Sequence, residues 1–149
     1  MPTYQYACTD CGDRLEVVQA GFLTYEHSGP AADFVYSRNA LHHLPDFWKS
    51  IALGKIRTIL RHGGLFVLRD VVYSFEPEET EPAFERWFAE APANPAEGWT
   101  QADLEEHIRM EHSTFTWLLE PMLERTGFEI LGRDYRPQRT YAGYVCRAV

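Results

Sequence analysis

The chain has 149 residues, 45% of them hydrophobic and 24% charged, the make-up of one globular domain and not of a disordered polymer. Its formal net charge of −8 argues against a broad nucleic-acid surface, which needs a basic field, while leaving room for a small basic patch. No apolar run approaches the roughly 20 residues that span a bilayer, and the start, Met1-Pro2-Thr3-Tyr4-Gln5-Tyr6, has neither the basic nor the apolar region of a secretion signal.

The cysteines, Cys8, Cys11 and Cys146, are an odd and sparse set. Without a secretion signal they fit a reducing compartment, so a cytoplasmic protein is expected. Residues 1–19 differ in character from the rest. They hold the pair Cys8-Thr9-Asp10-Cys11-Gly12 and a short apolar run at Leu15-Glu16-Val17-Val18. Residues 20–149 form the second unit, which reaches a turn at Ser28-Gly29-Pro30 and then becomes regular.

From Asp33 an α/β alternation begins. Phe34-Val35-Tyr36-Ser37 reads as a short buried strand. Leu44-Pro45-Asp46 opens a helix, with the proline tolerated near the first turn. Trp48, Ile51, Ala52, Ile56, Ile59 and Leu60 then recur at helical spacing until Gly63-Gly64, expected to stop the helix. Leu65-Phe66-Val67-Leu68 follows as a second buried strand running on into Val71-Val72-Tyr73. Strand, amphipathic helix and strand make a βαβ unit with parallel strands.

Glu76 to Gly98 breaks this rhythm. It is rich in Pro and Glu, carries Phe84, Trp87 and Phe88, and reads as an insertion with one short amphipathic helix. Thr100-Gln101-Ala102-Asp103 has the form of a capping box and starts another helix. A further helix is expected to carry Phe115, Leu118, Leu119, Met122 and Leu123 on one face, with Pro121 a kink or a first turn and Gly127 at its end. Phe128-Glu129-Ile130-Leu131 and Tyr141-Ala142-Gly143-Tyr144-Val145-Cys146 read as strands. Their link is too short for a crossover helix, so they pair antiparallel.

Three segments resemble class I S-adenosylmethionine (SAM)-dependent methyltransferases. Ser37-Arg38-Asn39-Ala40-Leu41-His42-His43-Leu44 is similar to the turn that ends that family's fourth strand. Leu60-Arg61-His62-Gly63-Gly64 is similar to the approach to its fifth strand, with His62 where proline is usual. Thr126-Gly127-Phe128 is similar to the approach to its final hairpin. The resemblance implies an α/β fold with a partial Rossmann-like sheet, parallel strands followed by a C-terminal antiparallel hairpin. It implies SAM as cofactor and methyl transfer to an O, N or C centre of a small molecule.

In an open parallel sheet the ligand lies outside the C-terminal ends of the strands. The resemblance accordingly implies that Ser37, Arg38 and Asn39 contact the methionine part of SAM, and that Gly21 and Phe22 lie beside the adenine. His42 and His43 border the methyl-transfer site, where either could orient substrate or take a proton. Phe22 reads equally well as a core residue, and one of the two histidines as a helix-opening residue facing solvent. Methyl transfer often needs only proximity and alignment, so the family does not require a base. The 76–98 insertion is a candidate lid over the substrate, and its aromatic residues either wall the site or anchor the segment.

The glycine-rich loop and the ribose-binding acid of that family do not occur in this sequence. The expectation is therefore a chain that is truncated, and weak or inactive alone. Without the family's first strand, the strand at Phe34 would expose an apolar edge, and one face of the following helix would lose its partners. A homodimer or a complementing half could cover that edge.

Met1 to Gln19 resembles the opening of FmdB-type zinc-ribbon regulatory proteins, with Cys8 and Cys11 spaced to grip one zinc ion but without the second pair that a four-ligand site needs. Leu15 to Gln19 fits both likenesses, as the end of the ribbon's opening and as a third strand of the methyltransferase sheet. The rival readings are a non-catalytic zinc-ribbon-type regulatory or interaction module, and a chimeric product without a function of its own.

Overall fold

The computed structural model describes residues 15–149. The zinc reading of Cys8 and Cys11 lies outside the described residues. Among those described, no helix is long and apolar enough to cross a membrane.

Strand β1 (Ala32–Arg38) is followed by a short 3-10 turn (Leu41–His43), helix α1 (Asp46–Ile59) and strand β2 (Leu60–Asp70). β1 and β2 are parallel neighbours, as the βαβ reading requires. The hairpin strands β5 (Phe128–Tyr135) and β6 (Ala142–Ala148) complete a four-stranded sheet in the order β1-β2-β6-β5, with β6 antiparallel to both neighbours. A small parallel pair, β3 (Val72–Tyr73) with β4 (Thr114–Phe115), lies beyond the end of β2. The remaining helices are α2 (Thr80–Ala89), α3 (Gln101–Met110) and α4 (Thr116–Arg125).

Helix α1 starts on Pro45, which has the fixed φ a helix start needs and whose missing N–H no helix bond would have used. Asp46 in its first turn faces the positive end of the helix dipole. Ala52, Leu53 and Ile56 bury one face against the sheet. The helix ends at Ile59, four residues ahead of the expected glycine stop. The glycines serve β2 instead. Ala32 pairs with Leu60 but Phe34 with Leu65, so residues 61–64 bulge out of the ladder. Gly63 takes a φ of +77°, and a β-carbon on Gly64 would meet the Arg61 carbonyl oxygen at 3.0 Å.

Two further expectations are corrected. Leu15 to Gln19 forms no strand; a lone strand needs a neighbour to supply its ladder. The chain turns instead, with the N–H groups of Thr24 and Tyr25 both donating to the Gly21 carbonyl at 3.1 and 2.9 Å. Phe115 is not part of the last helix but its N-cap, paired in β4. Pro121 sits inside α4 on its exposed side, where water can satisfy the Trp117 carbonyl that the missing N–H would have bonded. The capping box at Thr100 and Asp103 forms as read, and Gly127 closes α4 with a φ of +95°.

Two apolar clusters result. The main one lies between the sheet and helices α1 and α4, around Leu53, Phe66, Leu68, Leu119, Leu123 and Phe128. The second gathers Val71, Tyr73, Phe75 and Ala83, with Phe84, Trp87, Phe115 and Tyr141 against them. It is chiefly aromatic: the Tyr73 ring lies 5.4 Å from Phe75, 5.3 Å from Phe84 and 5.9 Å from Phe115. Phe84 and Trp87 thus anchor the insertion to the body. Arg139, at a φ of +62° in the β5–β6 turn, clamps the insertion from outside by bidentate bonds to Glu79 at 2.8 and 3.1 Å.

β1 is an edge strand. Phe34 and Tyr36 on it are 55% and 50% exposed. Phe47, Trp48 and Ile51 on α1 are also exposed, so Trp48 and Ile51 follow the helical period without being core. Among the described residues, the apolar edge and one face of α1 are both left exposed.

Candidate functional site

Parallel strands β1 and β2 end side by side, and the chain leaves β1 through Asn39 in the left-handed region, with a φ of +49°. That turn directs the backbone into the Leu41–His43 segment. Its N–H groups are gathered by one carboxylate at the end of β2: Asp70 Oδ2 accepts from the amides of Ala40 at 3.3 Å, Leu41 at 2.8 Å and His42 at 3.3 Å. Asp70 Oδ1 accepts from the Val71 amide at 2.8 Å and also binds His42 Nδ1. Each bond ends on one carboxylate in a buried or part-buried setting, where hydrogen bonds are strong.

The expected site residues divide into three groups. Arg38 and Asn39 line a cleft of about 370 Å³ with Trp87, Trp99, Arg136 and Tyr141. The Tyr141 hydroxyl donates to Asn39 Oδ1 at 2.8 Å, and the Arg136 guanidinium lies 5.5 Å from the Tyr141 ring centre. Burial pushes the Tyr141 phenol above its usual pKa, so it stays a donor at neutral pH. Ser37, one residue back, is buried, and its Oγ has no hydrogen-bond partner among the described residues. An unpartnered buried hydroxyl at a strand end is the kind of atom a ligand completes.

Gly21 and Phe22 lie elsewhere. They line a second, more apolar hollow of about 650 Å³ with Val18, Ala20, Phe34 and Ile56, against the β1 edge. Phe22 also packs on the main cluster.

His42 and His43 form the third group, and they differ. His42 is 3% exposed, its Nδ1 held by Asp70. His43 is exposed and its Nδ1 lies 2.6 Å from Glu111 Oε2. Their rings are 4.2 Å apart, and His107 of α3 brings a third imidazole within 5.0 Å of His42. Burial, and then the neighbouring His42, hold the His107 imidazole below its usual pKa, so it is neutral at neutral pH. Trp99 and Trp87 lie 5.5 and 6.2 Å from the His107 ring, which joins the histidine cluster to the wall of the cleft. The His112 amide donates to the His42 carbonyl at 2.9 Å, and the buried ammonium of Lys49 bonds both Asp46, at 2.8 Å, and the His112 carbonyl.

Asp70, His107, Glu111, Trp99 and Tyr141 were not singled out as site residues from sequence. Asp70 could have been: it is the last residue of β2, two places after the apolar run, at the strand end where ligands gather. The others arrive from distant elements and carry no local motif.

No protein-family model matches the chain. A curated protein from Anoxybacillus flavithermus, named an uncharacterized methyltransferase, is 33% identical over 116 residues, which cover 78% of this chain and 50% of that one. The chain thus spans about half the length of the curated relatives it matches. Among solved structures, TnmH superposes with a TM-score of 0.64 at 17% identity, over 97% of this chain and 38% of that one. An O-methyltransferase family protein from Burkholderia thailandensis gives 0.63 at 16% identity, over 93% of this chain and 37% of that one. The described chain has the α/β fold of SAM-dependent methyltransferases, and the curated proteins it resembles bear the methyltransferase name.

Proposed function

We propose that the chain is the substrate-side half of a SAM-dependent methyltransferase acting on a small molecule. The observation that carries this reading is the cleft at the end of β1, where Arg38 and Asn39 of the methyltransferase-like turn meet the aromatic walls of Trp87, Trp99 and Tyr141. Its size and its mix of aromatic and polar groups suit a small planar acceptor.

The residues present fit one end of the cofactor. Ser37, with its unpartnered buried Oγ, together with Arg38 and Asn39, would hold the methionine part. Phe22 and its hollow would receive the adenine. SAM supplies the methyl group on a sulfonium when bound. The chain's own contribution is to place the acceptor in the cleft and to exclude water with the insertion, which Arg139 holds over the β5–β6 turn. Of the two histidines His43 is the exposed one, paired to Glu111, and it lies outside the residues that line the cleft. His42, locked by Asp70, is a positioning residue.

The glycine-rich half would be supplied as a complementing segment seated on the β1 edge and the exposed face of α1. The exposure of Phe34, Tyr36, Phe47 and Trp48 favours this, and it favours equally the second reading, an interaction module without catalysis. Calorimetric titration of SAM separates them. The test is made on the chain alone, and on the chain mixed with the glycine-rich half of the Anoxybacillus flavithermus relative. The methyltransferase reading expects binding that tightens in the mixture and is lost in Arg38→Ala/Asn39→Ala. No heat and no thermal shift in either sample would leave the interaction module.

A further inference from the structure

We propose that His42, His43 and Glu111 bind a divalent first-row transition-metal ion of the zinc type, with Asp70 orienting the first of them. The inference stands apart from the SAM reading and rests on the cluster alone.

One ring nitrogen from each histidine and one Glu111 oxygen lie within 4.8 Å of one another. Two imidazoles and a carboxylate are a donor set suited to zinc and its neighbours. Asp70 is the second feature that marks a metal site. A histidine that gives one ring nitrogen to a carboxylate presents the other, unprotonated, to an ion, and is fixed in tautomer and orientation by that bond. His42 is so placed: Asp70 holds Nδ1, which leaves Nε2. The same carboxylate caps the turn carrying both histidines, through the Ala40, Leu41 and His42 amides.

The third donor is held to the same frame. Glu111 ends α3, and the next residue donates its amide to the His42 carbonyl at 2.9 Å while its own carbonyl is bound by the buried Lys49. Backbone bonds therefore fix the distance between the two halves of the cluster, and only the half-exposed ends of His43 and Glu111 need to move. At present His43 Nδ1 and Glu111 Oε2 are 2.6 Å apart. An ion with bonds of about 2.0–2.2 Å would replace that hydrogen bond and part the two atoms to roughly 3.3 Å. Three protein ligands leave a fourth position for water or substrate, the pattern of reactive rather than structural zinc sites. A hollow of about 780 Å³, lined by Trp99, His107 and Glu111, gives a route in from solvent.

The test is a cobalt(II) titration of the full chain in a Cys8→Ser/Cys11→Ser background, read by visible absorption. The expected result is one equivalent of cobalt with ligand-field bands and no thiolate charge-transfer band, displaced by zinc. Affinity should fall by about tenfold or more in His43→Ala and again in Glu111→Gln. Both positions are partly exposed, so circular dichroism should show the fold unchanged. Absence of bands at millimolar cobalt would overturn the proposal. So would binding that survives both substitutions, or binding that disappears with the cysteines.

Discussion

Asp70, 1% exposed, holds the ring of His42, 3% exposed, while its other oxygen caps the turn in which that histidine sits. One carboxylate thus fixes both the backbone and the side chain of the segment between β1 and α1. Removing it leaves four amides and an imidazole without their acceptor inside the fold. Asp70→Ala is expected to cost about 3–5 kcal/mol of stability, as the breaking of a buried pair does. Asp70→Asn, which keeps the shape, should cost less. Urea denaturation of both variants checks this; a loss of under about 1 kcal/mol in Asp70→Ala would show the network to be slack.

Alkaline pH should destabilise the protein. Burial raises the pKa of Cys146, Tyr73 and Tyr135 to about 12, and that of Tyr144 further still. The unfolded chain releases these protons near the ordinary values, about 8.5 for a thiol and 10 for a phenol. The unfolded state therefore binds fewer protons in that range. Stability is complete below about pH 8.5 and falls as pH rises toward 12. Urea midpoints at pH 8 and pH 10.5 test this, and the second should be lower. In a Cys8→Ser/Cys11→Ser background, Cys146 should react with a thiol reagent at pH 8 only after urea is added.

Gly64→Ala should destabilise through crowding. Its β-carbon would meet the Arg61 carbonyl at 3.0 Å, Leu60 Cδ2 at 3.1 Å and the Ala32 carbonyl at 3.2 Å. Two of these are backbone atoms in a strand pair, which cannot step aside as a side chain can. The expected cost is about 1–3 kcal/mol. Gly54→Ala is the control: nothing lies within 4 Å of its β-carbon position, and alanine favours a helix, so it should stabilise slightly.

Arg139→Ala should loosen the insertion without unfolding the body. Its ion pair with Glu79 is solvent-screened, so the global cost should stay under about 1 kcal/mol. The guanidinium also donates to the Ser74 carbonyl at 2.9 Å, so its loss frees the start of the insertion at two points. Limited proteolysis should cut within 76–98 faster than in the parent chain. Equal rates would mean that the aromatic cluster alone holds the segment.

What the sequence made legible was whatever local chemistry dictates. The Thr100 capping box and the Gly127 helix end depend on residues within a few positions of each other, while the βαβ unit and the hairpin follow from the order of their elements and the lengths of the links between them. The strand expected at Leu15 to Gln19 failed because a strand is a property of a pair, and local composition cannot say whether the neighbour is there. Trp48 and Ile51 likewise keep a helical period on a face that none of the described residues covers. At the site, the turn from Ser37 to His43 was readable by resemblance. His107 and Glu111 were not, because they reach it from α3, more than sixty positions along the chain, through an insertion whose path no local rule fixes.

Val71 and Tyr73 face the aromatic cluster under the insertion, while Val72 between them is buried in the main cluster. The alternation of three consecutive residues thus rivets the two packing units together, immediately after the aspartate that organises the histidines. A molecule that draws the insertion inward would pull on the same few peptide groups that end β2. The amides of Val71 to Tyr73 should then report occupancy of the cleft through slowed hydrogen exchange, even though none of the three residues lines it.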